Sequence, residues 1–119
     1  VARRAEVVDA FLAAARGGDF QALLTVLDPD VVLRADPAAV LLGATAEVRG
    51  AGGVVEALAG KAEGARRASV DGTAGAVWVL GGRLMVVWGF TVVDGRILAI
   101  DLLADPEYLH TADVEILDA

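Results

Sequence analysis

The stretch RLMVVWGFTVVDGRILAIDLL, residues 83–103, decides the fold. It reads as two strands joined at Asp94-Gly95, a two-residue loop that favours a type I′ hairpin because both residues tolerate positive φ. That turn sets a register in which Val93 faces Arg96, Phe90 faces Ala99 and Trp88 faces Asp101. Side chains alternate across a strand. Leu84, Val86, Trp88, Phe90 and Val92 therefore share a face with Ile97, Ala99, Asp101 and Leu103, while Met85, Val87, Thr91 and Val93 share the other with Leu98, Ile100 and Leu102. Both faces are apolar. An antiparallel sheet that lines only its own core carries polar residues on one side, so this sheet is expected to pack on two neighbours: its own helices and a partner.

Outward from this hairpin, Asp71-Gly72 and Gly81-Gly82 punctuate two further strands, Ala65 to Val70 and Ala74 to Leu80, completing a four-stranded antiparallel meander. Upstream, Val7, Val8, Phe11, Leu12 and Ala15 recur at helical spacing until Gly17-Gly18. Asp19 is placed to cap a second helix with a face of Phe20, Leu23, Leu24 and Leu27, stopped by Asp28-Pro29-Asp30. Val31 to Asp36 is short and β-branched and reads as a strand, and Pro37 forbids its simple continuation. Ala38 to Arg49 is open between loop, short helix and irregular edge. Gly50 to Ala62 predicts a third helix with Val54, Val55 and Leu58 inward. Downstream, Asp105-Pro106-Glu107 should start a short helix that lays Tyr108 and Leu109 on the rim of the sheet, and Val114 to Leu117 is apolar enough to dock. The order gives an α+β fold, a curved antiparallel sheet packed on about three helices.

A chain of 119 residues fits one domain, 1–119, able to form a core without a metal or disulfide staple. Hydrophobic residues reach 56 %, yet charges and glycines interrupt every apolar run before it could cross a bilayer, and the first residues lack the form of a signal peptide. The absence of cysteine fits a reducing cytoplasm. A start at valine suggests a domain cut from a longer polypeptide. The net charge of -7 is dispersed, and Arg3-Arg4 and Arg66-Arg67 are the adjacent basic pairs. Without a basic stripe for phosphates, direct nucleic-acid binding is not expected.

Extending the register places Arg66, Ala68, Val70, Val77 and Val79 with Trp88 on the helix-covered, concave face, and Trp78 with Met85 opposite, provided no bulge intervenes. Asp101, flanked by Ile100 and Leu102 and set opposite a tryptophan, is then the sharpest catalytic candidate, since burial can tune a carboxyl toward proton transfer at neutral pH. A paired, structural aspartate is the alternative, with Arg34 or Arg66 as partner. Arg34 and Asp36 alternate along one strand and could bind a small polar ligand if that face is concave. With Trp88 and Phe90 as apolar wall and Tyr108 at the mouth, these residues outline a pocket. His110, the single histidine, lies beyond the last long strand and reads as a surface residue. No metal-ligand cluster, phosphate-binding glycine loop or Ser-His-Asp set is present, so no metal and no cofactor is expected.

The run FLAAARGGDFQALLTVLDPDVVLRAD (11–36), Arg49-Gly50-Ala51, and GFTVVDGRILAIDLLADPEYL (89–109) together resemble the SnoaL-like domain at the C-terminus of certain extracytoplasmic-function sigma factors. The resemblance implies the nuclear transport factor 2-like cone and a regulatory domain rather than an enzyme. It would pack on the sigma regions of the same polypeptide and adjust promoter-directed transcription by RNA polymerase. Two segments are associated with that contact. A glycine-rich Asp-Gly-Gly-Gly-Lys-Val segment corresponds to Asp36-Pro37-Ala38-Ala39-Val40, where the acid and the valine match and the glycines and lysine do not. An Asn-Pro-Asp-Lys-Leu-like segment corresponds to 104–109, where Pro106 after Asp105, the acid Glu107 and Leu109 carry over. The same cone fold hosts isomerases, cyclases and dehydratases, for which Asp101 would move the proton. A sensor that binds a small apolar ligand lies between these readings. A homodimer through Trp78, Met85, Val87, Leu98 and Ile100 is another way to cover the second sheet face.

Overall fold

The computed structural model describes residues 2–59 and 64–117. Helix α1 (Ala2–Gly17) buries the expected stripe of Val7, Val8, Phe11, Leu12 and Ala15. Helix α2 (Phe20–Val26) starts on Asp19, whose carboxylate accepts from the Ala22 N–H at 3.1 Å. Of its expected face only Leu23 and the following Leu27 are buried; Phe20 is 49 % exposed. Strand β1 (Leu27–Ala35) begins earlier than the sequence suggests, because Asp28-Pro29-Asp30 is absorbed as an irregularity between Leu27, paired with Ile97, and Val32, paired with Ala99. The open segment resolves into helix α3 (Pro37–Leu41) and strand β2 (Glu47–Arg49). Helix α4 (Ala51–Leu58) buries Val54, Val55 and Leu58. It reaches its C-cap at Ala59, short of the expected Ala62, and residues 60–62 of that expectation lie outside the described residues.

The meander is β3 (Arg66–Val70), β4 (Thr73–Leu80), β5 (Arg83–Val93) and β6 (Arg96–Leu103). Its three turns carry positive φ at both central residues: Asp71 and Gly72, Gly81 and Gly82, Asp94 and Gly95. That is the type I′ signature expected of these dipeptides. Asp105 caps helix α5 (Pro106–Thr111) by accepting from the Tyr108 N–H at 3.1 Å, and strand β7 (Val114–Ile116) docks on β3. Among the described residues seven strands form one sheet in the order β2-β1-β6-β5-β4-β3-β7. The sheet is mixed rather than antiparallel, since β1 runs parallel to β6. The long connection through α3, β2, α4 and the meander makes that parallel crossover possible.

Two bulges correct the expected faces. Thr91 pairs with Ala99 but Val92 pairs with Ile97, leaving Leu98 as the extra residue. Phe90 therefore faces Ile100, Trp88 faces Leu102 and Gly89 faces Asp101. Likewise Trp78 pairs with Val86 but Val79 with Leu84, leaving Met85 unopposed. The physical reason is burial. Without the Leu98 bulge the helix side would receive the Asp101 carboxylate and lose Ile100 and Leu102; with it, the carboxylate stays out and both aliphatic chains go in. The concave core thus joins Phe11, Trp88, Phe90, Ile97, Ile100 and Leu102, with Trp78 and Met85 packed against it.

The convex face is covered differently from expectation as well. Ala68, Val77 and Val87 form a second buried cluster there, and Tyr108, Leu109 and Val114 from α5 and β7 pack on it. The chain supplies its own second neighbour. The five residues expected to share an interface face do not share one: Trp78, Met85 and Ile100 belong to the concave side, Val87 to the convex cluster, and Leu98 to the bulge, partly exposed.

Phe11 closes the cone from the helix side, with its ring centroid 5.3 Å from Phe90 and 6.4 Å from Trp88. Replacing it with alanine removes the contact that both aromatic rings of β5 make with α1. Phe11→Ala is expected to lower stability by about 3–5 kcal/mol, read as a fall in urea midpoint followed by tryptophan fluorescence.

Candidate functional site

The cone leaves a cavity of about 620 Å³ between α3, α4 and the concave side of β4, β5 and β6. Ala39, Leu58, Val86, Trp88 and Leu102, all buried, form its floor, and Leu42, Gly43, Ala44, Gly64 and Trp78 form its more exposed rim. Trp78 and Val86 are paired across β4 and β5, and Trp88, paired with Ala76, follows Val86 on the same face, so the two indoles lie diagonally on one face of adjacent strands. No described lining residue has a titratable side chain. The walls are mainly apolar, with the side chains of Trp78 and Trp88 among them.

Asp101 lies outside this cavity. The register turns it to the convex face beside Arg34, which pairs with it in a two-pronged contact: Nε to Oδ1 at 2.9 Å and Nη2 to Oδ2 at 3.2 Å. The hydrogen bond to Asp101, and then its charge, raise the already high pKa of the Arg34 guanidinium. With the two side chains 53 % and 31 % exposed, this is a solvated surface pair. Glu47 and Arg49 pair similarly on β2, Nε to Oε2 at 2.8 Å. Arg66, opposite Val77, lies on this outer face too.

Of the residues expected to outline a pocket, Trp88 alone lines the cavity. Phe90 is core, and Tyr108 packs over the outer cluster, where burial, then the charge of Asp71, push its phenol pKa up. His110 is exposed. The Arg4 guanidinium, half of one adjacent basic pair, reaches inward and donates to the Phe90 carbonyl. Arg16 donates to the Ala65 carbonyl at 2.8 Å, so both ends of α1 are tied to the sheet and its margin.

Asp36 is the polar residue around which the rim is organised. Its Oδ1 accepts from the Ala39 N–H at 2.8 Å, capping α3, and its Oδ2 accepts from the N–H groups of Ala104 and Asp105 at 2.9 and 3.0 Å. The backbone N–H of Asp36 donates to the Leu102 carbonyl at 3.0 Å. One carboxylate therefore fastens the 36–40 segment to the start of α5, and brings Asp36, Pro37 and Val40 into one region with Asp105 and Pro106. Leu109 points the other way, into the convex cluster. Beyond this latch, Val40, Leu41 and Leu42 are exposed, Leu41 to 88 %. Sequence reasoning missed the cavity's small residues, Ala39, Gly43 and Ala44, although the run of small residues after Pro37 is the signal for a wall that leaves space.

Asp36→Ala removes a helix cap and leaves two further N–H groups without their acceptor, so it should cost about 2–3 kcal/mol, measured by chemical denaturation. Asp101→Asn and Arg34→Ala should each change stability little. Their coupling in a double-mutant cycle is expected below about 1 kcal/mol.

No protein-family model and no curated protein matches the chain. Among solved structures, the extracytoplasmic-function sigma factor SigJ of Mycobacterium tuberculosis superposes with TM-score 0.68 at 28 % identity, over 88 % of this chain and 43 % of that one. The chain thus spans less than half of that sigma factor. TerC, crystallised with polyporic acid, matches with TM-score 0.61 at 19 % identity, over 91 % and 95 %. An NTF2-like protein of Burkholderia pseudomallei gives 0.61 at 14 %, over 92 % and 95 %. The chain has the nuclear transport factor 2-like fold and is similar over most of its length to part of an extracytoplasmic-function sigma factor.

Proposed function

We propose that this domain regulates a sigma factor within the same polypeptide and does so by contact rather than by catalysis. The observation that carries the reading is the latched surface: the 36–40 segment, which resembles the contact segment of sigma-factor SnoaL-like domains, is held by Asp36 against the start of α5, the second such segment. Val40, Leu41 and Leu42 offer an exposed apolar ridge beside it. Such a ridge is a natural seat for a protein partner. Loss of the glycines and lysine of the related motif is offset here: Pro37 and the Asp36 cap make α3 a preformed element, which lowers the ordering cost of a contact. The similarity to SigJ at 28 % identity supports the same reading.

The position of the acids weighs against an enzyme. Asp101, the proton-transfer candidate, pairs with Arg34 on the convex face, on the other side of the sheet from the cavity. General acid–base chemistry needs a group within hydrogen-bond reach of the reacting atom. On this reading the domain acts in the cytoplasm with RNA polymerase as the ultimate partner, and without touching DNA itself.

The test is promoter-dependent transcription in vitro with the full polypeptide, with a version lacking this domain, and with Leu41→Asp. Deletion is expected to change transcript yield severalfold, and Leu41→Asp to shift it in the same direction while the domain keeps its stability. A gene without sigma regions joined to this domain, or yields identical in all three, would overturn the reading.

A further inference from the structure

We propose that residues 104–113, helix α5 with its two flanks, form a strap that bows away from the convex face as one unit while β6 and β7 stay in the sheet, and that Asp36 and Asp71 are its two clips. The claim stands on the strap's own contacts and needs no sigma region.

The strap crosses the sheet. It leaves the end of β6, passes over the outer side of β5, β4 and β3, and rejoins the sheet as β7. Its hold on that face is light. Six residues are too few for a helix to persist without outside contacts, and no residue of α5 is buried. Tyr108 and Leu109 nevertheless cover Ala68, Val77 and Val87, which are at most 1 % exposed.

What fixes the strap is polar and lies at its ends. At the front, Asp36 Oδ2 accepts from the N–H groups of Ala104 and Asp105 at 2.9 and 3.0 Å. At the back, Asp71 Oδ1 accepts from the Asp113 N–H at 2.9 Å, and the Asp71 N–H donates to the Asp113 carbonyl at 2.8 Å. Between the clips the bonds are internal: the N–H groups of Tyr108 and Leu109 go to Asp105, and that of Ala112 goes to the Tyr108 carbonyl. A helix this short has no stable half-formed state, since its first turn is the costly one. Loss of either clip therefore slackens the whole span. Once lifted, the strap uncovers Ala68, Val77 and Val87 beside the partly buried Val70, Val79 and Leu84, a contiguous apolar patch over three strands. Such a patch adheres to other apolar surface, so the strap decides whether the convex face is closed or adhesive.

Native-state hydrogen exchange of the 119-residue chain, resolved by amide, tests this. In the parent, Ala104, Asp105, Leu109, Ala112 and Asp113 are expected to share one opening constant to within about twofold, and to open at least about tenfold more often than Val87 and Ile100 in the central strands. Asp36→Ser keeps one oxygen to cap α3 and has none left for Ala104 and Asp105. Asp71→Gly gives the Gly-Gly turn that the chain already uses at 81–82, without the carboxylate. Each variant is expected to speed exchange about fivefold or more at the end it does not touch, Asp113 in the first and Ala104 in the second, and to raise chymotrypsin cleavage after Tyr108 by a similar factor. Strap amides that open no more often than Val87 in the parent overturn the strap, whatever the variants do. Acceleration confined to the altered end overturns its motion as one unit. Transcription enters neither measurement, so failure here leaves the contact reading intact, and failure there leaves the strap.

Discussion

The structure depends on one constraint: Ile97, Ile100 and Leu102 must all face the helix side of the sheet while Asp101 must not. Strict alternation cannot satisfy it, because residues three apart fall on opposite faces of a regular strand. A single extra residue, Leu98, resolves the conflict and bends the sheet at the same point, since a bulge adds local twist and curvature. A second bulge at Met85 repeats the effect between β4 and β5. The curvature that encloses the cavity and the exclusion of the carboxylate from it are therefore one event. That link removes Asp101 from the interior and leaves the cone's interior apolar among the described residues.

The same economy places the other acids. Asp19, Asp36 and Asp105 cap helices, Asp71 and Asp94 occupy positive-φ turn positions, and Asp71 also accepts from the Asp113 N–H at 2.9 Å. Each satisfies backbone donors or a backbone geometry that apolar residues serve poorly. A net charge of -7 thus says little about an acidic binding surface, because many of the carboxylates are engaged locally.

What was legible in the sequence was local. The type I′ turns at 71–72, 81–82 and 94–95, the caps at Asp19 and Asp105, and the inward stripes of α1 and α4 follow from chemistry contained within a few residues. The α+β order and the similarity to sigma-factor domains gave the fold. The faces of the sheet were not legible from the turns, because a register counted outward from Asp94-Gly95 fails at the first bulge. The signal lay instead in the spacing of Ile97, Ile100 and Leu102, three chains too large to leave in water and impossible to bury together without an extra residue. The parallel pairing of β1 with β6 and the docking of α5 on the convex side are long-range facts that no local pattern encodes. They also show what packs on the second face of a doubly apolar sheet: Tyr108, Leu109 and Val114 lie over Val77 and Val87.

Asp36 gains its importance from where the chain turns. Pro37 ends β1 and begins α3, so the residue before it must leave the sheet in an extended conformation and start a helix in the next step. Asp36, at φ -71° and ψ 168°, meets that demand and has two carboxylate oxygens to distribute. One serves the new helix; the other reaches the neighbouring end of β6, sixty-eight residues along the chain at Ala104. Asparagine has one accepting oxygen and could serve one side fully, whereas aspartate serves both. A cavity wall and an exposed ridge thereby share a single polar joint. In a domain whose interior is otherwise held by non-directional apolar contacts, such a joint is where a change on one side can be felt on the other.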